Sequence, residues 1–171
     1  MATAVQVPVE VYLASDYEPD AEYVDGCIEE RPMGQYDHAS WQQAIQLWFV
    51  EHAREWNIRV RPELRVQTTA RNYRVPDVVV FDRDNPIEQI LTKPPIAVFE
   101  VLSPEDRIAR IMKKLAEYEA MGIQTVMLID PATGSISQFR NGDLAKLKEP
   151  IQHLAGSRCS IDWRRVEELL D

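Results

Sequence analysis

Cysteine is nearly missing from this chain. Cys27 and Cys159 are the only two among 171 residues, and neither sits in a CxxC or Cys/His cluster. That argues against a zinc site and points to two reduced thiols in a cytoplasmic protein. Long apolar runs are also lacking. Stretches such as Val78-Val79-Val80-Phe81 are far too short to cross a bilayer, so no membrane partner is expected. The opening MATAVQVPVE has no basic region followed by an apolar segment, and no signal peptide is expected. No repeat or low-complexity linker divides the chain, and its length suits one domain, residues 1–171, with a sizeable core. Positive charge is scarce: 19 Lys and Arg stand against 28 Asp and Glu, a net charge of −9. That balance counts against a nucleic-acid partner, because phosphate binding draws on Lys and Arg. The scarcity is uneven, however. Arg54, Arg59, Arg61, Arg65, Arg71 and Arg74 fall between His52 and Arg74 with only Glu55 and Glu63 against them, whereas the first thirty residues are strongly acidic. These arginines are either a local basic surface or ordinary solvated strand and loop residues.

The pattern along the chain alternates helices and strands. Pro8 opens a short helix over residues 8–14. Residues 22–30 read as a hairpin turning at Asp25-Gly26. From His38 to about Trp56, Trp41, Ile45, Trp48, Phe49 and Trp56 recur at helical spacing and give one aromatic face. Such a face suits the core, and it is also a candidate interface for a homodimer. Ile58 to Thr69 alternates as a strand, with Pro62 marking an edge or bulge. Val75–Phe81 and Ile96–Leu102 are β-branched runs of interior strands. Ser103-Pro104-Glu105-Asp106 predicts a capped helix start, and Gly122 its stop. Strands are expected at Gln124–Asp130, Ser135–Arg140 and near Gln152–Ile161, with a short helix from Asp162. The fold class is therefore α/β (α+β), with a mixed central sheet flanked by helices and preceded by an N-terminal helix and hairpin.

Two carboxylates break the apolar strands: Asp77 in VPDVVVF and Glu100 in IAVFEVL. An unpaired buried carboxylate is expensive. Two on neighbouring strands imply a shared cation, either an Arg or Lys pair or a hard metal such as magnesium. Alternation puts Glu100 on a face with Val98 and Leu102, and Asp77 with Val75 and Val79. The helix after the Glu100 strand adds Lys114. At ~100° per residue, Lys114 falls roughly 110° from the centre of the Ile108–Ile111–Met112–Leu115 stripe. It stands at the stripe border beside Arg107 and Tyr118 and can reach back to the sheet, or else snorkel over the helix flank. Lys113 points to solvent.

An Asp after Pro, a strand Glu and then a Lys resemble the PD-(D/E)XK nuclease superfamily, and the chain as a whole resembles its Uma-type family of restriction endonucleases. The matching residues are Glu22-Tyr23-Val24-Asp25-Gly26, His38, Pro76-Asp77-Val78-Val79-Val80, Glu100-Val101-Leu102-Ser103-Pro104, Lys114-Leu115 with Tyr118, Gly122, and Ile129-Asp130-Pro131. The likeness runs from about residue 8 to the C-terminus. It implies a restriction-endonuclease-like core and a metal-dependent endonuclease acting on DNA. Asp77 and Glu100 would hold magnesium (or manganese) with the main-chain carbonyl of Val101, and Lys114 would orient the attacking water. Glu22 is a candidate further acid or an exposed strand residue. His38 is a candidate ligand for phosphate or metal, or a helix cap. Arg74 and Arg107 are candidates for binding substrate. Two departures stand out. Leu102 occupies the place of the superfamily's strand lysine, which implies that Lys114 supplies the ammonium from the helix instead. Arg110 stands where the family tends to carry Asp. The alternative is a catalytically inactive nuclease-fold module that binds nucleic acid or a protein. A third reading is an oligomeric structural protein whose carboxylates pair with arginines.

Overall fold

The computed structural model describes residues 5–170; the ends of the expected domain, 1–4 and 171, lie outside the described residues. In chain order the elements are α1 (Val9–Leu13), β1 (Ala21–Val24), β2 (Cys27–Glu30), α2 (Tyr36–His52), β3 (Ile58–Pro62), β4 (Val66–Thr69), β5 (Asn72–Arg74), β6 (Val78–Asp82), β7 (Ala97–Val101), α3 (Ile108–Met121), β8 (Thr125–Asp130), β9 (Ser135–Arg140), β10 (Asp143–Lys146), β11 (Ile151–His153), β12 (Ser160–Asp162) and α4 (Trp163–Glu167). A six-stranded sheet runs β10-β9-β8-β7-β6-β3, a four-stranded sheet runs β2-β1-β5-β4, and β11 pairs with β12 alone. Within the larger sheet β7 and β8 are parallel and the other neighbours antiparallel. A parallel pair needs a crossover, and α3 is that crossover. The fold is the expected mixed α+β architecture.

Side-chain alternation explains where the helices sit. Val78 and Val80 of β6, Ala97, Phe99 and Val101 of β7, and Met127 and Ile129 of β8 turn to one face. There they pack against Trp41, Ala44, Ile45 and Phe49 of α2 and Trp163 and Val166 of α4. Val79, Phe81, Val98, Val126 and Leu128 turn to the other face and meet Ile111, Leu115 and Tyr118 of α3. Glu100 belongs by alternation to this second face, under α3. The α2 aromatics are spent on this core: Phe49 is sealed, Trp41 nearly so, and the Trp48 indole N–H donates to Ser160 O at 2.9 Å. Of the aromatic face considered for a second copy of the chain, Trp41 and Phe49 are taken by the core, while Trp48 and Trp56 are only partly buried against it.

Several boundaries differ from expectation. The hairpin turns at Asp25-Gly26, where φ is +50° and +89°, values that Gly26 adopts freely and that match the twist of a two-residue turn. The first long helix ends at His52 rather than Trp56. The expected strand from Ile58 to Thr69 is two strands in two sheets: β3 closes at Pro62 on the edge of the larger sheet, and Glu63, at φ +50°, turns the chain towards β4. The run from Val75 likewise changes sheets. Val75-Pro76-Asp77 is a connection, because Pro76 has no N–H to give a ladder, and β6 begins at Val78. The helix expected from Ser103 starts five residues later. Asp106 Oδ2 accepts the Ser103 N–H at 2.7 Å and the Asp106 N–H donates to Ser103 O at 3.0 Å, so 103–106 closes into a turn of its own. Gly122 ends α3 in the left-handed region as expected, at φ +105°. The single strand expected near 152–161 is instead the hairpin of β11 and β12. Among the described residues no helix is long and apolar enough to cross a membrane.

Candidate active site

The change of sheet at Val75-Pro76-Asp77 carries Asp77 to the end of β7. Val78 pairs with Phe99 in the antiparallel ladder. One step further, Asp77 Oδ2 accepts the main-chain N–H of Val101 at 2.7 Å. Its Oδ1 receives Arg31 Nη2 at 2.6 Å and stands 3.3 Å from His38 Nε2. Burial alone would raise the Asp77 pKa, but the His38 hydrogen bond and the Arg31 charge outweigh it and hold the carboxyl below its ordinary range. The same contact raises the His38 imidazole above its ordinary value against the cost of burial.

Lys114 comes down from the first half of α3. It is 6% exposed, so the stripe-border angle delivers its ammonium inward rather than over the flank. Its Nζ lies 2.7 Å from Glu22 Oε1 and 2.8 Å from Glu100 Oε1, and donates to Val75 O at 3.2 Å. Glu100 Oε1 also accepts the Tyr118 hydroxyl at 2.8 Å. Burial pushes Glu100 up to about 7; Lys114 opposes the shift, while Asp77 and Glu22 add to it. Lys114 stays charged although burial works against it, because Glu100 and Glu22 face it. Tyr118 is driven well above its ordinary value by burial and by Glu100, which keeps it a neutral donor.

Glu22 is not the exposed strand residue that alternation allowed; it is 1% exposed. It reaches in from β1, where Oε1 accepts the Val75 N–H at 2.9 Å and Oε2 accepts Arg74 Nη1 at 3.0 Å. Burial would raise its pKa, but Lys114 and Arg74 pull it below the ordinary value. Arg74 in turn grips Glu117 with a two-pronged contact, Nε to Oε2 at 2.8 Å and Nη2 to Oε1 at 2.6 Å. With 1% of its surface exposed and each of its three nitrogens donating to a carboxylate, Arg74 stands as the counter-ion of buried Glu22.

Asp77, Glu100, Lys114, Glu22, His38 and Val101 thus all line one cavity of about 30 Å³, enough for one or two water-sized occupants. A larger cavity of about 350 Å³ adjoins it, sharing His38, Ser103 and Asp106 and extending over Leu102 and Asp130. Arg107 is exposed and lines neither cavity. None of the six arginines between 54 and 74 lines the smaller cavity. Arg59 and Arg61 donate to main-chain carbonyls of Asn85 and Val60, and Arg65 lies 4.7 Å over the Tyr12 ring. Arg110 ties α3 to the hairpin, 3.1 Å from Glu29 Oε2 and donating to Glu30 O. Lys113 is exposed, as its angle predicted, and meets Asp25 at 3.1 Å.

Arg31 is the site residue that sequence reasoning missed. Its only local signal was a cation closing a hairpin otherwise rich in acids.

Among the described residues no three His, Cys, Asp or Glu stand together as a ready-made metal cage. The donor chemistry nevertheless suits a hard cation. Asp77 and Glu100 both present carboxylates to the cavity, and magnesium is commonly held by one or two carboxylates with waters and substrate phosphate completing its shell.

The mixed sheet and its crossover helix thus bring acids and an ammonium to one cavity. The chain belongs to the Uma2 family, whose model, described as "Putative restriction endonuclease", matches residues 9–159. Among solved structures the chain is similar to "a putative nuclease belonging to DUF820" from Anabaena variabilis ATCC 29413, at 23% identity and a TM-score of 0.81, over 95% of this chain and 98% of that one. That likeness shows the fold. A DrdV–DNA complex matches at 18% identity and a TM-score of 0.45, over 80% of this chain and 12% of that one. No curated protein matches.

Proposed function

We propose that the chain is a single-domain, metal-dependent endonuclease that hydrolyses DNA phosphodiester bonds. Magnesium or manganese would be held by Asp77 and Glu100 with the carbonyl of Val101. The observation that carries this reading is the convergence of both acids and the Lys114 ammonium on one cavity. Family membership and fold support a nuclease. When bound, the cation supplies polarisation of the scissile phosphate and a lowered pKa for water. Lys114, buried and held charged by two carboxylates, orients the attacking water and offsets negative charge gathering on phosphorus. Glu22 keeps that ammonium in place, Tyr118 fixes the Glu100 carboxylate, and His38 offers a donor at the edge of the larger cavity. Dialysed protein should cleave DNA only after magnesium or manganese is returned, and Asp77→Ala should abolish cleavage. If Asp77→Ala cuts as fast as the unaltered chain, the assignment is wrong.

A second reading is favoured by one observation: Asp77 already holds the Arg31 guanidinium, as a non-catalytic nuclease-fold module would. Calorimetry separates the two readings. No divalent-ion binding at millimolar concentration, with nucleic-acid or protein binding retained, supports the module. Light scattering tests the expected homodimer.

A further inference from the structure

Arg31 follows directly on β2, and its main-chain N–H donates to Asp20 O at 3.0 Å, which pins its backbone. Its side chain is 13% exposed and forks between two acids, Nη2 at 2.6 Å from Asp77 Oδ1 and Nη1 at 3.4 Å from Glu63 Oε1. Burial favours loss of its proton, but the charges of Asp77, Glu100, Glu63 and Glu22 prevail and hold it cationic. The two partners differ in kind. Asp77 is buried at the centre of the site, whereas the Glu63 side chain is half exposed. Arg31 therefore already touches both the oxygen that a divalent cation would use and an acid at the surface. A guanidinium and a divalent cation cannot both sit against one carboxylate oxygen without strong repulsion. Once it leaves Asp77, the planar fork of Arg31 is suited to gripping a phosphate.

Building on the metal-dependent reading above, we propose that Arg31 is an exchangeable counter-ion. It neutralises Asp77 while no divalent cation is bound, gives up that oxygen when one arrives, and then pairs with a backbone phosphate of the nucleic acid at the cavity mouth. No covalent bond is made or broken in this exchange: the divalent cation takes the place of the guanidinium at Asp77, its second charge is met by the Glu100 carboxylate, and the displaced guanidinium is met by the phosphate. Competition of this kind is reciprocal, so whatever weakens the Arg31–Asp77 pair must strengthen cation binding.

The test uses the full chain without DNA and manganese as the probe. Arg31→Gln should bind manganese more tightly by calorimetry, on the order of tenfold, within the usual span of coupled sites. Arg31→Lys should stay near the unaltered chain. In calcium, chosen to hold back cleavage, DNA affinity should then be measured against salt. Arg31→Gln should flatten the slope of log affinity on log salt by about 0.9, the share of one phosphate contact. Equal or weaker manganese binding by Arg31→Gln, or an unchanged salt slope, overturns the proposal while leaving the nuclease reading intact. If neither the unaltered chain nor the variant binds manganese, the metal-dependent reading fails and this one with it. Should Arg31→Gln not fold, Glu63→Gln gives the same answer from outside the catalytic machinery. Arg31 is then left to Asp77 alone, so manganese should bind several-fold more weakly, and equal binding overturns the proposal.

Discussion

Glu100 Oε1 and Lys114 Nζ stand 2.8 Å apart, an acid from the larger sheet and an amine from the crossover helix, both buried. Their meeting is a consequence of the β7–α3–β8 connection. The crossover lays α3 over the face on which Glu100 lies, and Lys114 turns down from it onto Glu100. Burial raises the Glu100 pKa to about 7, and a single ammonium shared with Glu22 only partly offsets it.

That shift has a stability consequence of definite sign. Between its ordinary value of 4.5 and about 7, the folded chain keeps a proton on Glu100 that the unfolded chain has released. The resulting stabilisation is complete below about pH 4.5 and drains away as pH rises to about 7, amounting to at most about 3 kcal/mol. His38, also raised, adds a loss in the same direction above its ordinary 6.5. Asp77 and Glu22, both lowered, act oppositely, and their stabilisation is lost as pH falls below the ordinary carboxylate range. Urea unfolding in EDTA should therefore show stability falling from about pH 5 to pH 7. Glu100→Gln should remove most of that fall and leave only the later His38 portion. A Glu100→Gln profile parallel to the unaltered one would show that Glu100 titrates normally in the folded chain.

Arg74 should prove structural. It bridges Glu22 and Glu117 with 1% of its surface exposed, so Arg74→Met leaves two acids facing each other without their shared cation. Breaking one side of a buried ion network typically costs about 3–5 kcal/mol. The urea midpoint should drop accordingly. Arg74→Lys should recover only part of the loss, because an ammonium cannot reproduce the two-pronged grip on Glu117. A change of DNA affinity in Arg74→Lys with no change of midpoint would instead put Arg74 in the substrate footprint.

The parts of the site that could be read from sequence are those that violate a local pattern. Asp77 and Glu100 stood out as charges inside apolar runs, Lys114 stood at a computable angle on a helix, and Asp25-Gly26 announced a turn by its residue types. What could not be read depends on pairing at long range. Arg31 meets Asp77 across 46 positions, and its place at the end of an acidic hairpin does not reveal that partner. Arg74, between Tyr73 and Val75, looked like one of a group of solvated arginines, and only Glu22 and Glu117 make its burial tolerable. The split of Ile58–Thr69 between two sheets was hidden for the same reason. Alternation is identical on either side of Glu63, and strand partners alone decide which sheet each half joins. The late start of α3 reflects a local competition that sequence signals do not rank. Asp106 satisfies the Ser103 N–H in a closed turn, and the helix begins only after it.

The equivalence of a helix lysine with a strand lysine can be tested directly. Lys114→Met removes the ammonium that lines the cavity and should lower DNA cleavage by about 100- to 1,000-fold, the usual cost of losing one donor to developing charge. Leu102 lies two residues beyond Glu100, and its N–H continues the parallel ladder to Ile129 O at 2.8 Å, so its side chain shares the Glu100 face. It also borders the cavity of about 350 Å³, which gives a longer side chain room. Adding Leu102→Lys to Lys114→Met should restore about tenfold of the lost rate, a fraction because the new amine lacks the Glu22 contact that steadies Lys114. Lys114→Met cleaving at the unaltered rate would show that no ammonium is needed. A folded double variant that binds manganese normally yet gains nothing over Lys114→Met would show that the strand position does not reach the point where Lys114 acts, and that the two arrangements are not interchangeable on this fold.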